Sequence, residues 1–155
     1  MYKRILIPTD GSALSTAAAQ EGVAFAQRLG AEIAGIHVAP EYQYPIYAEV
    51  IPPDMPTLDS HNAEMQRVGK TYLGEIEKAA SAAGVKFSGT TVISDRTAQE
   101  IVAAAEQQEC DLIFMGSHGR SGWQRLLLGS VTSKVLALSH IPVLVYRTKE
   151  EPAAP

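Results

Sequence analysis

Two short segments of this sequence hold residue types that bind rather than pack. They are Pro8-Thr9-Asp10-Gly11-Ser12 near the start, and Gly116-Ser117-His118-Gly119-Arg120-Ser121-Gly122 toward the end, the latter continuing to Leu128-Gly129-Ser130-Val131-Thr132. The chemistry they offer is the holding of a polyanion. Gly116, Gly119 and Gly129 leave no Cβ between the main chain and phosphate oxygens, while Ser130 and Thr132 add hydroxyl donors. Gly129 also stands where a helix is expected to begin, and a helix start offers free amides and the positive end of the macrodipole. His118 and Arg120 are placed to balance phosphate charge. Each residue alone has a plainer reading: a glycine after a strand makes a turn, Ser130 caps a helix, Asp10 shapes a turn, and a loop histidine is solvated. The spacing Gly-x2-Gly-x9-Gly-Ser, which joins one strand end to one helix start, is what favours a phosphate cradle.

The elements that must position these segments are legible as β-branched apolar runs separated by longer stretches with helical spacing, the pattern of βαβ units around a parallel sheet. Strands are expected at Arg4–Ile7, Glu32–Val38, Lys86–Ile93, Leu112–Met115 and Val143–Arg147, the first, fourth and fifth reading as strands buried on both faces. A first helix runs from about Ser15 to Leu29, with Ser12 or Ser15 as N-cap and Gly30 beyond its end. A second runs from about Leu58 to Ala83, carried by Met65, Val68, Tyr72, Leu73 and Ile76 and ended by Gly84. Thr97 and Glu100 read as a capping box opening a third, and a fourth starts near Ser130 and stops before Pro142. The stretch from Pro40 to Pro56 holds five prolines and three tyrosines, and is expected to be a loop or a lid.

In open α/β sheets ligands bind beyond the carboxyl ends of the strands, where the strand order reverses. If the order is 3-2-1-4-5, strands one and four are neighbours and the two loops meet; spacing alone leaves that order open. Residues 1–147 are expected to form one domain and 148–155, rich in Glu, Pro and Ala, a disordered tail.

Composition narrows the class of partner. The 155 residues are 46% apolar and carry a net charge of −4 without a cluster of Lys and Arg, which argues against a nucleic-acid surface. The apolar run at the start is too short for a signal peptide and no stretch suits a bilayer, so the expected location is the cytoplasm and no membrane partner is expected. The single cysteine, Cys110, precedes an apolar strand and reads as a small buried residue. His37, His61 and His140 lack metal-ligand spacing, and Trp123, Leu126, Leu127 and Leu128 read as a packed patch or partner contact. A Walker lysine, a Gly-x-Ser-x-Gly elbow and a Gly-x-Gly-x-x-Gly fingerprint are all missing, Lys134 lying too far past Gly129.

The run Gly116-Ser-His-Gly119, nine residues, then Gly129-Ser130-Val131-Thr132 resembles the ATP-binding signature of the universal stress protein family, and the likeness extends through Ile5–Ser12, Ile36-His37-Val38, Asp111-Leu112-Ile113 and Pro142–Val145. The resemblance implies a Rossmann-like α/β fold, an open five-stranded parallel sheet of order 3-2-1-4-5 with helices on both faces. It also implies a homodimer through the last strand, Val143–Arg147, and bound ATP, expected with Mg²⁺. Carried over by position, Pro8, Thr9 and Asp10 flank the nucleotide, Asp10 near either the ribose or the Mg²⁺. Val38 and Met115 meet the adenine, and Gly116, His118, Gly119, Arg120, Gly129, Ser130, Val131 and Thr132 surround the phosphates. The leading expectation is a nucleotide-dependent regulatory module with an unidentified protein partner and little or no turnover. The alternatives are a slow Mg²⁺-dependent ATP hydrolase and a ligand-free interaction protein.

Overall fold

The computed structural model describes residues 1–46, 49–118 and 128–148. Within them the chain alternates strand and helix: β1 (Arg4–Pro8), α1 (Ala13–Leu29), β2 (Glu32–Ala39), α2 (Leu58–Ala82), β3 (Phe87–Ile93), α3 (Thr97–Gln107), β4 (Leu112–Gly116), α4 (Ser130–Leu138) and β5 (Val143–Tyr146). All pairings are parallel, in the order β3-β2-β1-β4-β5. The expected order is therefore the observed one, with Ile5 beside Leu112 and Leu6 beside Ile113 at the switch point. The tail from 149 onward, and the predicted site residues Gly119 and Arg120 together with Trp123, Leu126 and Leu127, lie outside the described residues.

Alternation along the central strands divides the core into two layers. Ile5, Ile7, Ile33, Leu112 and Phe114 pack with Val23 of α1 and Ile76 and Ala80 of α2. Leu6, Ala34, Ile36, Ile113 and Met115 pack on the other face with Ile101 and Ala105 of α3 and Val135 of α4. A sheet with a helical layer on each face buries its middle strands completely, and Ile5, Leu6, Ile7 and Ile113 are 0–1% exposed. The fifth strand departs from the expectation that it is enclosed on both faces. Its four residues are only half-buried, because among the described residues it is the sheet edge and pairs with β4 alone. It also ends at Tyr146, one residue short of the expected Arg147.

Helix starts show where local chemistry decides. Ser12, not Ser15, is the N-cap of α1, accepting the Ser15 amide at 3.1 Å, so the helix begins at Ala13. Thr57 and Ser60 form a reciprocal capping box at the start of α2. The box expected at Thr97 and Glu100 does not form. The hydroxyl of Ser94 accepts the Arg96 amide, Arg96 becomes the N-cap residue without a side-chain bond, and Thr97 is already the first helical residue. A capping hydroxyl must sit on a residue still outside the helix, so Thr97 is displaced from that role. At the opposite end of the sheet, the Asp111 carboxylate accepts the amides of Lys3 and Arg4, tying the start of β4 to that of β1. Cys110 beside it is 5% exposed, and burial pushes its thiol up to about 11.

Candidate functional site

A cavity of about 220 Å³ opens beyond the carboxyl ends of β1, β2 and β4. Pro8, Thr9 and Asp10 border it from the end of β1, Val38 from β2, and Met115, Gly116 and His118 from β4 and the residues after it. Gly129, Ser130, Val131 and Thr132 border it from the start of α4. Every predicted site residue that lies among the described ones is thus brought to one place, by strands far apart in sequence. Four further lining residues escaped the sequence reading: Ser15, Ile36, Thr97 and Ile101. Ile36 was read only as part of the second strand, Ile101 lay within the third helix without a role, and the hydroxyls of Ser15 and Thr97 were read as helix caps. The signal that could have found them is shared parity along β2 with Val38, and the i, i+4 spacing of Thr97 and Ile101.

The β1–α1 connection is closed on itself by hydrogen bonds. The Gly11 amide and the Ser15 hydroxyl both donate to Thr9 Oγ1, at 3.1 Å each, and the Asp10 amide donates to Ser15 Oγ at 3.2 Å. Asp10 Oδ1 accepts the Ser12 amide at 2.9 Å, and Gly11 adopts φ +75°, a left-handed conformation that suits glycine. Ser15, freed from capping, is the buried centre of this loop. The loop therefore holds Asp10 at the cavity border in a preformed turn.

The β4–α4 side is built differently. The Gly129 amide donates to the Ser117 carbonyl at 2.8 Å and the Thr132 hydroxyl to the Gly116 carbonyl at 2.9 Å, which pins the helix start against the strand end. Thr132 is 3% exposed, so its hydroxyl proton serves this bond. No side chain caps α4, whose N-cap is Gly129 at φ −59° and ψ 155°. The first amides of α4, and the positive end of its dipole, thus border the cavity without a side-chain cap from the described residues. His118 shares a hydrogen bond of 3.0 Å between Nδ1 and Ser117 Oγ, while its Nε2 is buried with no partner. A buried polar atom left in this state asks for a ligand. A Cβ at Gly116 would meet Ala18 Cβ and the His118 carbonyl at 3.4 Å, ordinary contact distances, so the expectation that its missing Cβ opens the main chain to phosphate gains no support at this position.

The remaining lining is apolar, from Ile36, Val38, Ile101, Met115 and Val131. An apolar wall beside a helix start with open amides fits a molecule with a flat apolar portion and an anionic portion. Asp10 is the acidic residue among those described that borders the cavity, and no cluster of three or more metal-ligating side chains occurs among the described residues. The described part of the Pro40–Pro56 stretch does not border the cavity. It is fastened elsewhere, by Tyr42 Oη to the Pro56 carbonyl at 2.6 Å, His61 Nε2 to the Pro40 carbonyl at 2.9 Å, and the Glu41 amide to Asp95 Oδ1 at 3.0 Å. None of the described helices is long and apolar enough to cross a membrane.

With this geometry in hand, the comparisons agree with one another. The family model described as the universal stress protein family matches residues 1–147. The universal stress protein MJ0531 of Methanocaldococcus jannaschii is 35% identical over 147 residues, covering 95% of this chain and 83% of that relative. The solved structure of MJ0577 from the same organism superposes with a TM-score of 0.80 at 32% identity, covering 97% of this chain and 99% of that one. A universal stress protein solved in complex with cAMP shares the fold at 24% identity and a TM-score of 0.66, covering 96% of this chain and 98% of that one.

Proposed function

The chain belongs to the universal stress protein family, and on that premise we propose that its cavity binds ATP, with Mg²⁺, as a nucleotide-dependent regulatory module with little or no turnover. The observation that carries this reading is the uncapped start of α4 beside the buried, unpartnered His118 Nε2. Amides and an imidazole held in one place form an anion site whose cost of ordering is met when the protein folds. The apolar residues Ile36, Val38, Ile101, Met115 and Val131 supply the surface for a purine base. Gly129, Ser130, Val131 and His118 would hold the phosphates, and Thr132 would act by fixing the helix start.

Asp10 would serve either a ribose hydroxyl or the metal. A Mg²⁺ bound here would take most of its oxygen ligands from phosphate and water, with one carboxylate from the protein, a common arrangement for this ion. When bound, the metal neutralises phosphate charge; the chain's own part is to orient that charge toward the α4 amides. Gly119 and Arg120 belong to the same proposed phosphate site by their place in the signature. The half-buried edge strand β5 supports a homodimer formed through it, since its outer amides and carbonyls have no strand partner among the described residues.

Calorimetric titration with Mg·ATP, followed by melting, tests the reading. A ligand held only by the native state adds about 2.7 kcal/mol of stability at a hundredfold excess over Kd, so both heat of binding and a raised Tm are expected. The absence of both heat and a shift in Tm would overturn it. Phosphate release at or above about 1 s⁻¹, the lower end for dedicated phosphoryl-transfer enzymes, would replace the regulatory module by the hydrolase. The cAMP held by the related structure is a natural competitor to add to the titration.

A further inference from the structure

The loop that carries Asp10 has two sides. One borders the cavity; the other lies against α2, across the sheet from the nucleotide site, and nothing in the proposed function uses that contact.

On this far side the place that a Cβ of Gly11 would occupy is filled by the ring of Tyr72, so the ring lies directly on the loop backbone. Tyr72 also meets His37 of β2 edge to face, with ring centroids 5.1 Å apart and an interplanar angle of 89°. His37 is 6% exposed, and its Nδ1 lies 2.8 Å from the Thr9 carbonyl. A carbonyl only accepts, so Nδ1 carries the proton and the ring orientation is defined. The Thr9 amide in turn donates to the Ile36 carbonyl at 2.9 Å, so Thr9 is held at both ends of its peptide unit by β2. One turn before Tyr72, Gly69 lets α2 settle on Thr91, the residue that pairs with His37 across the β2–β3 register. Sequence offered no sign of this, because His37 read there as a histidine without metal-ligand spacing and Tyr72 as one member of an apolar helix face.

Taken with the nucleotide reading above, on which it rests, this geometry leads us to propose that Tyr72 and His37 are positioning residues for the nucleotide. They hold Thr9, Asp10 and Gly11 from the opposite face of the sheet, so that the Asp10 carboxylate stands at the cavity before the ligand arrives. The affinity of the site is then set partly by α2, an element that contributes no lining residue to it. Removing the ring releases the loop, and the ligand must order it again on binding.

A double-mutant cycle separates this role from ordinary packing. Tyr72→Leu should weaken Mg·ATP binding about tenfold in the otherwise native chain but less than about twofold when Asp10→Ala is already present, as coupled neighbours do. A residue that merely stabilises the fold lowers Tm in both backgrounds without this difference in affinity. If Tyr72→Leu does not fold, His37→Phe replaces it in the same cycle, keeping a ring against Tyr72 while removing the proton given to Thr9. The same coupled loss is expected from it. Equal losses in both backgrounds, or no loss, while the native chain binds ATP, would overturn this inference and leave the nucleotide reading standing; failure of the native chain to bind ATP would overturn both.

Discussion

The starts of α1 and α4 border the same cavity and solve the problem of a helix end in opposite ways. At α1 the Ser12 side chain caps the helix, and Thr9, Asp10 and Ser15 consume one another's donors and acceptors. At α4 the cap position is a glycine, no side chain among the described residues closes the helix, and a neighbouring imidazole nitrogen is buried without a partner among them. The first arrangement gives the cavity its shape and stability. The second leaves interaction energy unspent, and unspent interaction at a helix N-terminus is where an anion binds. Thus two helix starts on one cavity differ in whether a side chain among the described residues caps them.

The largest effect should come from filling the α4 start. Gly129 has φ −59°, a value open to other residues, so Gly129→Val tests space rather than backbone strain. We expect Mg·ATP affinity to fall about a hundredfold, about 2.8 kcal/mol by calorimetry, with the circular dichroism of the folded chain retained. Unchanged affinity would remove the contrast between the two helix starts. Next, Asp10→Ala should weaken binding about tenfold with Mg²⁺ and about twofold in EDTA if the carboxylate serves the metal; equal losses in the two buffers would assign it to the ribose.

Ser12→Ala sharpens the comparison from the other side. It removes the α1 cap and should cost about 1 kcal/mol of stability in denaturant unfolding, while the affinity of the folded protein stays within about twofold. A loss of affinity as large as that from Gly129→Val would show that both starts bind the anion directly.

The smallest effect is expected from Cys110→Ala, remote from both helix starts. Burial raises the thiol to about 11 in the folded chain, from an ordinary value of 9.0. The folded state therefore holds its proton more tightly, and the stability this contributes is complete below pH 9.0 and is lost as pH rises toward about 11. Native protein should react slowly with thiol reagents at pH 8, and the alkaline fall in stability should be shallower in Cys110→Ala. Rapid labelling of the folded chain would contradict the burial.

Much of this was readable from residue order. β1 and β4 are continuous apolar runs because they are covered on both faces, and Gly30 and Gly84 end their helices in left-handed conformations at φ +66° and +68°. The cavity's border was readable where residues stand at fixed spacing, as in Gly116, His118, Gly129 and Ser130. It was not readable at Ile36, Ile101 or Thr97, whose side chains suit a core or a cap as well as a cavity wall. The capping box misread at Thr97 and Glu100 has the same origin. A threonine three residues before a glutamate has the right chemistry, but the turn at Ser94 and Arg96 decides whether the helix has already begun.

Amino-acid order alone determined the alternation of strand and helix, the helix-ending glycines and the Gly-x2-Gly-x9-Gly-Ser spacing, because these depend on local conformational preference and short-range spacing. Only the tertiary structure decided that α4 begins uncapped beside an unpartnered imidazole, and that Tyr72 and His37 hold the Asp10 loop from behind. Those features arise from contacts between residues distant in sequence, whose geometry exists only once the sheet has ordered its strands and the helices have settled on both faces.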